Sequence, residues 1–128
     1  MTAEQSKPKR KVLIVDDSKL VRTILAAPLD EAGYEVSEAT NGEEALRLIS
    51  EQPPNMLITD LNMPGMNGID LIKEVRKDSI NRFMPILMLT GEDDEAVKKA
   101  GREAGVSGWI AKPVRPEKIL AVVNMVAQ

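Results

Sequence analysis

Five polar side chains follow apolar runs in this sequence, and their types together suit phosphoryl chemistry. Asp16 and Asp17 follow VLIV, Asp60 follows MLIT, Thr90 follows ILML, and Lys112 follows WIA. Carboxylates bind hard cations such as Mg2+, and an aspartate can attack phosphorus as a nucleophile. An amine and a hydroxyl stabilise the charge on a transferring phosphoryl group. The set therefore indicates a phosphoryl-accepting site, provided that the fold brings its members together.

The acidic members of this set indicate a magnesium site. Three carboxylates held close together raise one another's pKa unless a cation is present. Because the sequence has no histidine and no cysteine, any metal must be bound by oxygen, and Mg2+ fits best. We expect Asp17 and Asp60 to ligate it, Asp16 to act directly or through a water, and the backbone carbonyl of Asn62 to complete the protein's share. Asp60 is then the predicted nucleophile.

Each of these residues also has a purely structural interpretation. The acidic pair can cap a helix that starts at Ser18. Asp60 can start a turn, Thr90 can cap a helix, and Lys112 can be an ordinary surface charge. The joint placement of all five residues at the ends of separate apolar runs favours the functional interpretation.

The composition excludes several other classes of function. With 128 residues, the chain has the size of one domain. Its net charge of -3 gives no positive field for binding nucleic acid. Without cysteine the chain has no disulfide or thiolate site, and without histidine it lacks the ligands typical of zinc.

The distribution of apolar residues predicts a soluble, cytoplasmic protein without membrane insertion. No apolar run approaches the roughly 20 residues that span a bilayer, and the first residues lack the apolar region of a signal peptide. Residues 1–10 are polar and predict a flexible lead-in. Their basic side chains would alternatively suit a small patch for an anionic partner.

Apolar runs of strand length alternate along the chain with amphipathic segments of helical period. The predicted strands are residues 12–15, 35–39, 56–59, 86–89 and 109–111. The predicted helices are residues 18–32, 42–50, 68–77, 93–104 and 116–127. Five repeats of strand and helix predict an α/β fold with a doubly wound parallel sheet of five strands. Since parallel strands bring their carboxyl ends to one edge, the five polar residues should converge there.

Four segments then match the signatures of a known family, in order and in spacing. They are VLIVDDS, ITDLNMPGMNG, ILMLTGE and SGWIAKP. From about Lys11 to its end, the chain resembles the response-regulator receiver domains. The resemblance implies a flavodoxin-like fold in a single domain, with residues 1–10 as the lead-in and residues 11–128 as the receiver domain.

The resemblance also implies a role for each residue of the site. Asp60 is the expected phosphoacceptor, beside an acidic pair that binds Mg2+. Thr90 is the expected switch hydroxyl, and Lys112 is the amine that contacts the phosphate. The peptide bond between Lys112 and Pro113 is expected to be cis.

Three further positions bear on switching or on signal lifetime, and a fourth bears on the shape of the first helix. Trp109 occupies the position where the family usually carries Tyr or Phe, whose ring moves inward together with the hydroxyl at the position of Thr90. Alternatively, Trp109 is a half-exposed strand residue without such a role. Asn62 and Glu92 occupy positions that tune hydrolysis of the acyl phosphate in this family, and their types imply a short-lived signal. Pro28 departs from the family pattern and predicts a kink in the first helix.

The partners expected from this resemblance are proteins. The family takes its phosphoryl group from a phosphohistidine, and this sequence has no histidine, so the donor is expected to be a separate sensor histidine kinase. The sequence stops soon after the fifth predicted helix, so we expect output by binding, through the fourth helix, fifth strand and fifth helix. We expect a monomer that dephosphorylates itself and is not otherwise an enzyme.

Three functions from different classes stay open at this point. The first is a chemotaxis switch that acts on a target such as the flagellar motor switch. The second is a phosphorelay intermediate that passes its phosphoryl group to another histidine. The third is a phosphatase of the haloacid dehalogenase type, which needs a second acid two residues after the nucleophile, where this sequence has Asn62.

Overall fold

The computed structural model describes residues 9–91 and 93–127. Its strands are β1 (Lys11–Val15), β2 (Glu35–Ala39), β3 (Met56–Asp60), β4 (Ile86–Thr90) and β5 (Gly108–Ala111). Its helices are α1 (Lys19–Glu31), α2 (Gly42–Glu51), α3 (Gly68–Lys77), α4 (Glu95–Ala104) and α5 (Pro116–Val126), with a 3-10 turn at Ser79–Asn81. Every predicted strand and helix is present, with ends that differ from the predictions by at most two residues.

The five strands form one parallel sheet in the order β2-β1-β3-β4-β5. The chain runs outward from β1 to β2 and then returns past β1 to β3, so the sheet is wound in both directions. This order is that of flavodoxin-like folds, in which the ligand site lies at the carboxyl ends beside the reversal. The predicted fold class is therefore confirmed.

Helices cover both faces of the sheet and create two apolar layers. On one face, α1 and α5 pack side chains such as Leu25 and Ile119 against the strands. On the other face, α2, α3 and α4 contribute side chains that include Ile49 and Ile72. Strands β3 and β4 are buried along their whole length, which explains why they read as continuous apolar runs.

Local signals mark most of the helix ends. The side chain of Ser18 caps α1 by accepting a hydrogen bond from the Val21 N–H. Gly33, at φ 96°, follows the end of α1 in the left-handed region, as the sequence predicts for a stop signal. The cap of α4 is Asp94, so the interpretation of Thr90 as a helix cap is wrong.

Helix α1 runs through Pro28 and continues to Glu31. The kink expected at this proline stays a prediction. In the part of the chain that the structure describes, no helix has both the length and the apolar character needed to cross a membrane. Eight residues of the predicted lead-in, 1–8, lie outside the described residues, as does Glu92.

Candidate functional site

The parallel register brings the predicted site residues to one edge of the sheet. Asp60 is the last residue of β3 and lies opposite Leu89, next to Thr90 at the end of β4. Lys112 follows β5, and its N–H donates to the Thr90 carbonyl at 3.0 Å. Asp16 directly follows β1. The strand-end positions read from the sequence are therefore adjacent in space.

Three carboxylates form a cluster at this edge. One oxygen each of Asp16, Asp17 and Asp60 lies within 4.8 Å of the others. Asp16 and Asp60 are buried, whereas Asp17 is exposed. Burial raises the pKa of the Asp16 carboxyl above its ordinary value, and the Asp60 and Asp17 carboxylates add to the increase. The Ser18 N–H and the Lys112 ammonium act in the opposite direction on the Asp16 pKa.

The two oxygens of Asp16 have different surroundings. Oδ1 accepts a hydrogen bond from the Ser18 N–H at 2.8 Å, so Asp16 does contribute to the start of α1. Oδ2 is buried and has no hydrogen-bond partner among the residues that the structure describes. The cap of α1 is Ser18 itself, so the interpretation of the acidic pair as the helix cap is wrong, and the Ser18 N–H accounts for only one of the two Asp16 oxygens. A buried, unpartnered carboxylate oxygen beside two other carboxylates fits a site that a hard cation completes, and these oxygen donors suit Mg2+.

Lys112 reaches back over the strand ends to Asp60. Its Nζ lies 2.8 Å from Asp60 Oδ1. The contact is an ion pair and not a well-directed hydrogen bond, because within residues 9–91 and 93–127 the same oxygen has no hydrogen-bond partner. The peptide bond that follows, Lys112–Pro113, is cis as predicted. Lys112 is therefore part of the site, and its interpretation as an ordinary surface charge is wrong.

The backbone on both sides of Asp60 is held closely by its neighbours. The Leu61 N–H donates to the Leu89 carbonyl at 3.0 Å, and the Gly68 N–H donates to the Leu61 carbonyl at 2.9 Å. A Cβ at Gly68 would collide with the Asp60 carbonyl oxygen, so the start of α3 can approach Asp60 only because residue 68 is glycine. No pattern in the sequence predicts this role. Its one local signal was a glycine directly after the Asn67 cap.

Thr90 and Trp109 lie beside the ion pair. Both residues line a cleft of about 260 Å³ together with Lys112. Thr90 is buried and Trp109 is partly buried. The indole packs against α4 at Gly101, where a Cβ would lie 2.5 Å from Trp109 Cη2. Trp109 is a partly buried residue of β5, so its role in switching and its alternative interpretation as a half-exposed strand residue without that role both stay predictions.

Of the two positions predicted to tune hydrolysis, the structure describes Asn62 but not Glu92. Asn62 lies exposed in the loop after β3, two residues beyond Asp60. Its carbonyl as a metal ligand, and its side chain as a determinant of hydrolysis, both stay predictions. Glu92 lies outside the described residues, so its predicted role stays a prediction as well.

One residue next to the site was missed by the sequence analysis. Arg22 of α1 donates through Nη1 to the Asp16 carbonyl at 2.6 Å and through Nε to Glu38 Oε1 at 2.8 Å. No local pattern marks this arginine, because Glu38 belongs to the next strand and only the fold brings the two side chains together.

Comparison with known proteins agrees with this architecture. A family model described as the response regulator receiver domain matches residues 12–124. Chemotaxis protein CheY1 of Helicobacter pylori is 42% identical over 118 residues, which cover 91% of this chain and 95% of that protein. The structure of chemotaxis response regulator CheY4 of Vibrio cholerae superimposes with a TM-score of 0.89 at 41% identity, over 93% of this chain and 99% of that one.

Other relatives are longer. The alkaline phosphatase synthesis transcriptional regulatory protein PhoP of Bacillus subtilis is 35% identical over 117 residues, which cover 91% of this chain but 48% of that protein. The chain spans about half the length of several curated relatives that it matches. The relatives thus include a chemotaxis protein of similar size as well as transcriptional regulators of about twice the length.

Proposed function

Since the chain belongs to the response regulator receiver family, we propose that it is a phosphorylation switch in which Asp60 accepts a phosphoryl group from a sensor histidine kinase. One observation carries this proposal. Lys112 Nζ lies 2.8 Å from Asp60 Oδ1, and Asp60 also belongs to the carboxylate cluster with Asp16 and Asp17. A nucleophile, cation-binding neighbours and a charge-stabilising amine therefore meet at one point.

The proposed reaction is a transfer between two proteins. A carboxylate oxygen of Asp60 attacks phosphorus, and the bond from phosphorus to the donor's imidazole nitrogen breaks. The leaving imidazole keeps the electron pair and takes a proton from solvent, while Asp60 becomes an acyl phosphate. Mg2+, when bound, supplies positive charge against the phosphoryl oxygens. Lys112 supplies a second positive charge, and Thr90, at the neighbouring strand end, donates its hydroxyl.

The signal ends when water displaces Asp60 from phosphorus. We assign the rate of this hydrolysis to Asn62 and Glu92, whose types imply a short lifetime. The protein is then a phosphoacceptor that dephosphorylates itself and does not turn over a substrate as an enzyme does. This proposal also takes the protein to be cytoplasmic and monomeric.

The proposed output is a change in the surface formed by α4, β5 and α5, which a protein target in chemotaxis reads, such as a flagellar motor switch. The similarity to CheY1 along nearly the whole of that protein supports this assignment. A second candidate function is control of transcription. It is suggested by the longer relatives, transcriptional regulators in which the part that matches this chain is about half of the protein. The receiver chemistry is the same in both cases.

The proposal is tested by phosphorylation with acetyl phosphate in the presence and absence of Mg2+, with Trp109 fluorescence as a second readout. Trp109 lines the cleft beside Lys112, so metal binding and phosphorylation should each change its emission. We expect Mg2+-dependent incorporation of one phosphoryl group and a fluorescence change that decays after the donor is removed.

Asp60→Asn is the decisive variant, because it removes the nucleophile while keeping the shape of the side chain. We expect no incorporation into this variant, with the fold intact by circular dichroism. Incorporation at the level of the wild-type protein would show that the acceptor is a different residue.

The lifetime of the phosphorylated wild-type protein separates a short-lived chemotaxis signal from a phosphorelay intermediate, which needs a longer-lived acyl phosphate.

A further inference from the structure

Arg22 connects the acidic cluster to the edge strand β2, and nothing in the proposed chemistry uses it. We propose that Arg22, held by Glu38, is a positioning residue that fixes the peptide between Asp16 and Asp17 and thereby sets the Mg2+ affinity of the cluster. This inference rests on the proposed function, because it assigns Arg22 to the metal site of the phosphorylation switch.

The geometry ties the Asp16 backbone to the end of β2 through both of its polar groups. The Asp16 N–H donates to the Ala39 carbonyl at 3.2 Å. The Asp16 carbonyl accepts from Arg22 Nη1 at 2.6 Å, and Arg22 Nε lies 2.8 Å from Glu38 Oε1. Glu38 and Ala39 are the last two residues of β2. The end of this strand therefore holds the Asp16 backbone from two sides.

The carbonyl that Arg22 binds belongs to the peptide that leads into Asp17. Its orientation decides the direction in which the Asp17 backbone leaves β1, and hence where the Asp17 carboxylate lies. Asp17 is exposed, and no other described residue anchors its carboxylate through a hydrogen bond or an ion pair. A fixed peptide plane is therefore the main constraint on this proposed ligand. Residues that orient metal ligands typically change metal affinity by about 10- to 100-fold when they are replaced.

The burial of the two side chains supports a positioning role. The Arg22 side chain is 11% exposed, whereas its partner Glu38 is 44% exposed. Surface ion pairs contribute little to stability, but here a largely buried guanidinium is directed by the carboxylate onto a backbone carbonyl. Glu38 thus sets the orientation of Arg22, and Arg22 sets the orientation of the Asp16 carbonyl.

Electrostatics alone predicts the opposite effect, which makes the inference easy to test. A guanidinium beside an acidic metal site repels Mg2+, so its removal should tighten metal binding if charge were its only contribution. Loss of positioning should weaken metal binding instead. The sign of the change in Mg2+ affinity therefore separates the two explanations.

We would titrate Mg2+ by calorimetry into the wild-type chain and into Arg22→Met, which keeps the apolar stem and removes the donors. We expect the Kd for Mg2+ to rise about tenfold. Arg22→Lys keeps the charge but replaces the two separate nitrogens that contact Glu38 and Asp16 with a single one. Glu38→Gln leaves Arg22 in place without its charged partner. Both variants should give smaller increases. Their Kd values decide the question if Arg22→Met does not fold.

The matched control is Arg47→Met. Arg47 also pairs with a glutamate, Glu51, at 3.4 Å, but both side chains are more than half exposed and lie on α2. We expect the Kd of this control to stay within about twofold of the wild-type value. An equal increase in this control would overturn the inference, because the effect would then not depend on contact with Asp16.

Two further readouts separate positioning from a general loss of stability. Saturating Mg2+ should restore the rate of phosphorylation of Arg22→Met by acetyl phosphate, because only metal binding is weakened. An unchanged or lower Kd in Arg22→Met would overturn this inference but not the proposed function. A phosphorylation rate that excess Mg2+ does not restore would do the same. A wild-type chain that binds no Mg2+ overturns the inference and the magnesium-dependent part of the proposed function together.

Discussion

In the middle of the sheet, side chains such as Ile58 and Leu87 are apolar and completely buried between two layers of helices. At the carboxyl edge of the same strands, the side chains of Asp60 and Thr90 are buried, as is that of Asp16, which directly follows β1. Burial of apolar area stabilises the folded state. Burial of carboxylates close to one another, one of them with an unpartnered oxygen, destabilises it.

The difference shows how stability and chemistry are divided within one sheet. The interior supplies the free energy that holds the strands in register. The edge uses that register to keep Asp16, Asp17 and Asp60 closer together than they would stay in a flexible chain. Replacements in the interior should therefore reduce stability without changing the chemistry. Replacements at the edge should change the chemistry, and one of them should increase stability.

The largest effect on stability is expected for Ile58→Ala in β3. Ile58 is fully buried, so truncation loses transfer free energy and leaves a cavity. We expect unfolding in urea to show a loss of about 2–5 kcal/mol. Protein that remains folded should still be phosphorylated on Asp60, because Ile58 lies two residues before it within the strand.

Ile80→Ala is the control for that experiment, since Ile80 is 70% exposed. We expect it to change the free energy of unfolding by less than about 0.5 kcal/mol. If both variants lost the same stability, or if folded Ile58→Ala could not be phosphorylated, the interior and the edge would not be separable as described.

The next effect is expected at Gly68, where α3 meets the edge. An added Cβ would run into the Asp60 carbonyl oxygen, which is backbone and cannot rotate away. We expect Gly68→Ala to lose about 1–3 kcal/mol of stability, as overpacking usually does. It should also slow phosphorylation, because the strain displaces Asp60 itself.

Gly91→Ala is the matched control for Gly68→Ala. At Gly91 a Cβ would meet only Lys112 Cβ, at 4.0 Å, which is ordinary contact. Urea unfolding and acetyl phosphate kinetics of the two variants can be compared directly. Equal losses of stability in both would mean that the close approach of α3 to Asp60 has no special cost.

A smaller effect is expected where Trp109 packs against α4. In Gly101→Ala the new Cβ would overlap the indole, so Trp109 should move and its emission should change. The free energy of unfolding should fall by about 1–2 kcal/mol. In a Trp109→Ala background the same change should instead stabilise the protein by about 1 kcal/mol, because alanine favours helix over glycine. Urea unfolding of the four proteins gives the coupling energy. Additive changes would contradict the packing of Trp109 on Gly101.

The sequence predicts the sheet well because its central strands are buried on both faces. Runs such as residues 56–59 are continuous and apolar, so their identity as strands did not depend on tertiary detail. The convergence of Asp60, Thr90 and Lys112 also follows from sequence, because parallel strands align their carboxyl ends. The start of α4 was placed two residues early, since Asp93 and Asp94 are equally good caps by type and only the backbone selects Asp94.

The details that decide the properties of the site could not be read in this way. The contact of Arg22 with Glu38 depends on how α1 lies against β2, and the role of Gly68 depends on how closely α3 approaches Asp60. Whether one Asp16 oxygen accepts from the Ser18 N–H while the other stays without a hydrogen-bond partner depends on a single side-chain rotation. Each of these is a distance of a few ångströms between elements, which a pattern along the chain does not encode.

The smallest effect is expected for Asp16→Asn, and its sign is opposite to the others. Burial, together with the Asp60 and Asp17 carboxylates, raises the pKa of Asp16 in the folded state. The folded state then holds this proton more tightly than the unfolded chain does. Stability from Asp16 is present at acid pH and is lost as pH rises from the ordinary value, about 3.9, through the raised pKa. Asparagine does not titrate and avoids this loss.

In EDTA at pH 7, Asp16→Asn should therefore be more stable than the wild-type chain, and the difference should vanish below about pH 3.5. The amide oxygen can still accept from the Ser18 N–H, so the start of α1 is kept. Excess Mg2+ should reverse the order, because a bound ligand stabilises only the protein that binds it, and the variant lacks one carboxylate of the cluster. Urea unfolding at both pH values, with and without Mg2+, measures each step. A variant that is less stable than wild type in EDTA at pH 7 would mean that the buried Asp16 carboxylate does not destabilise the edge.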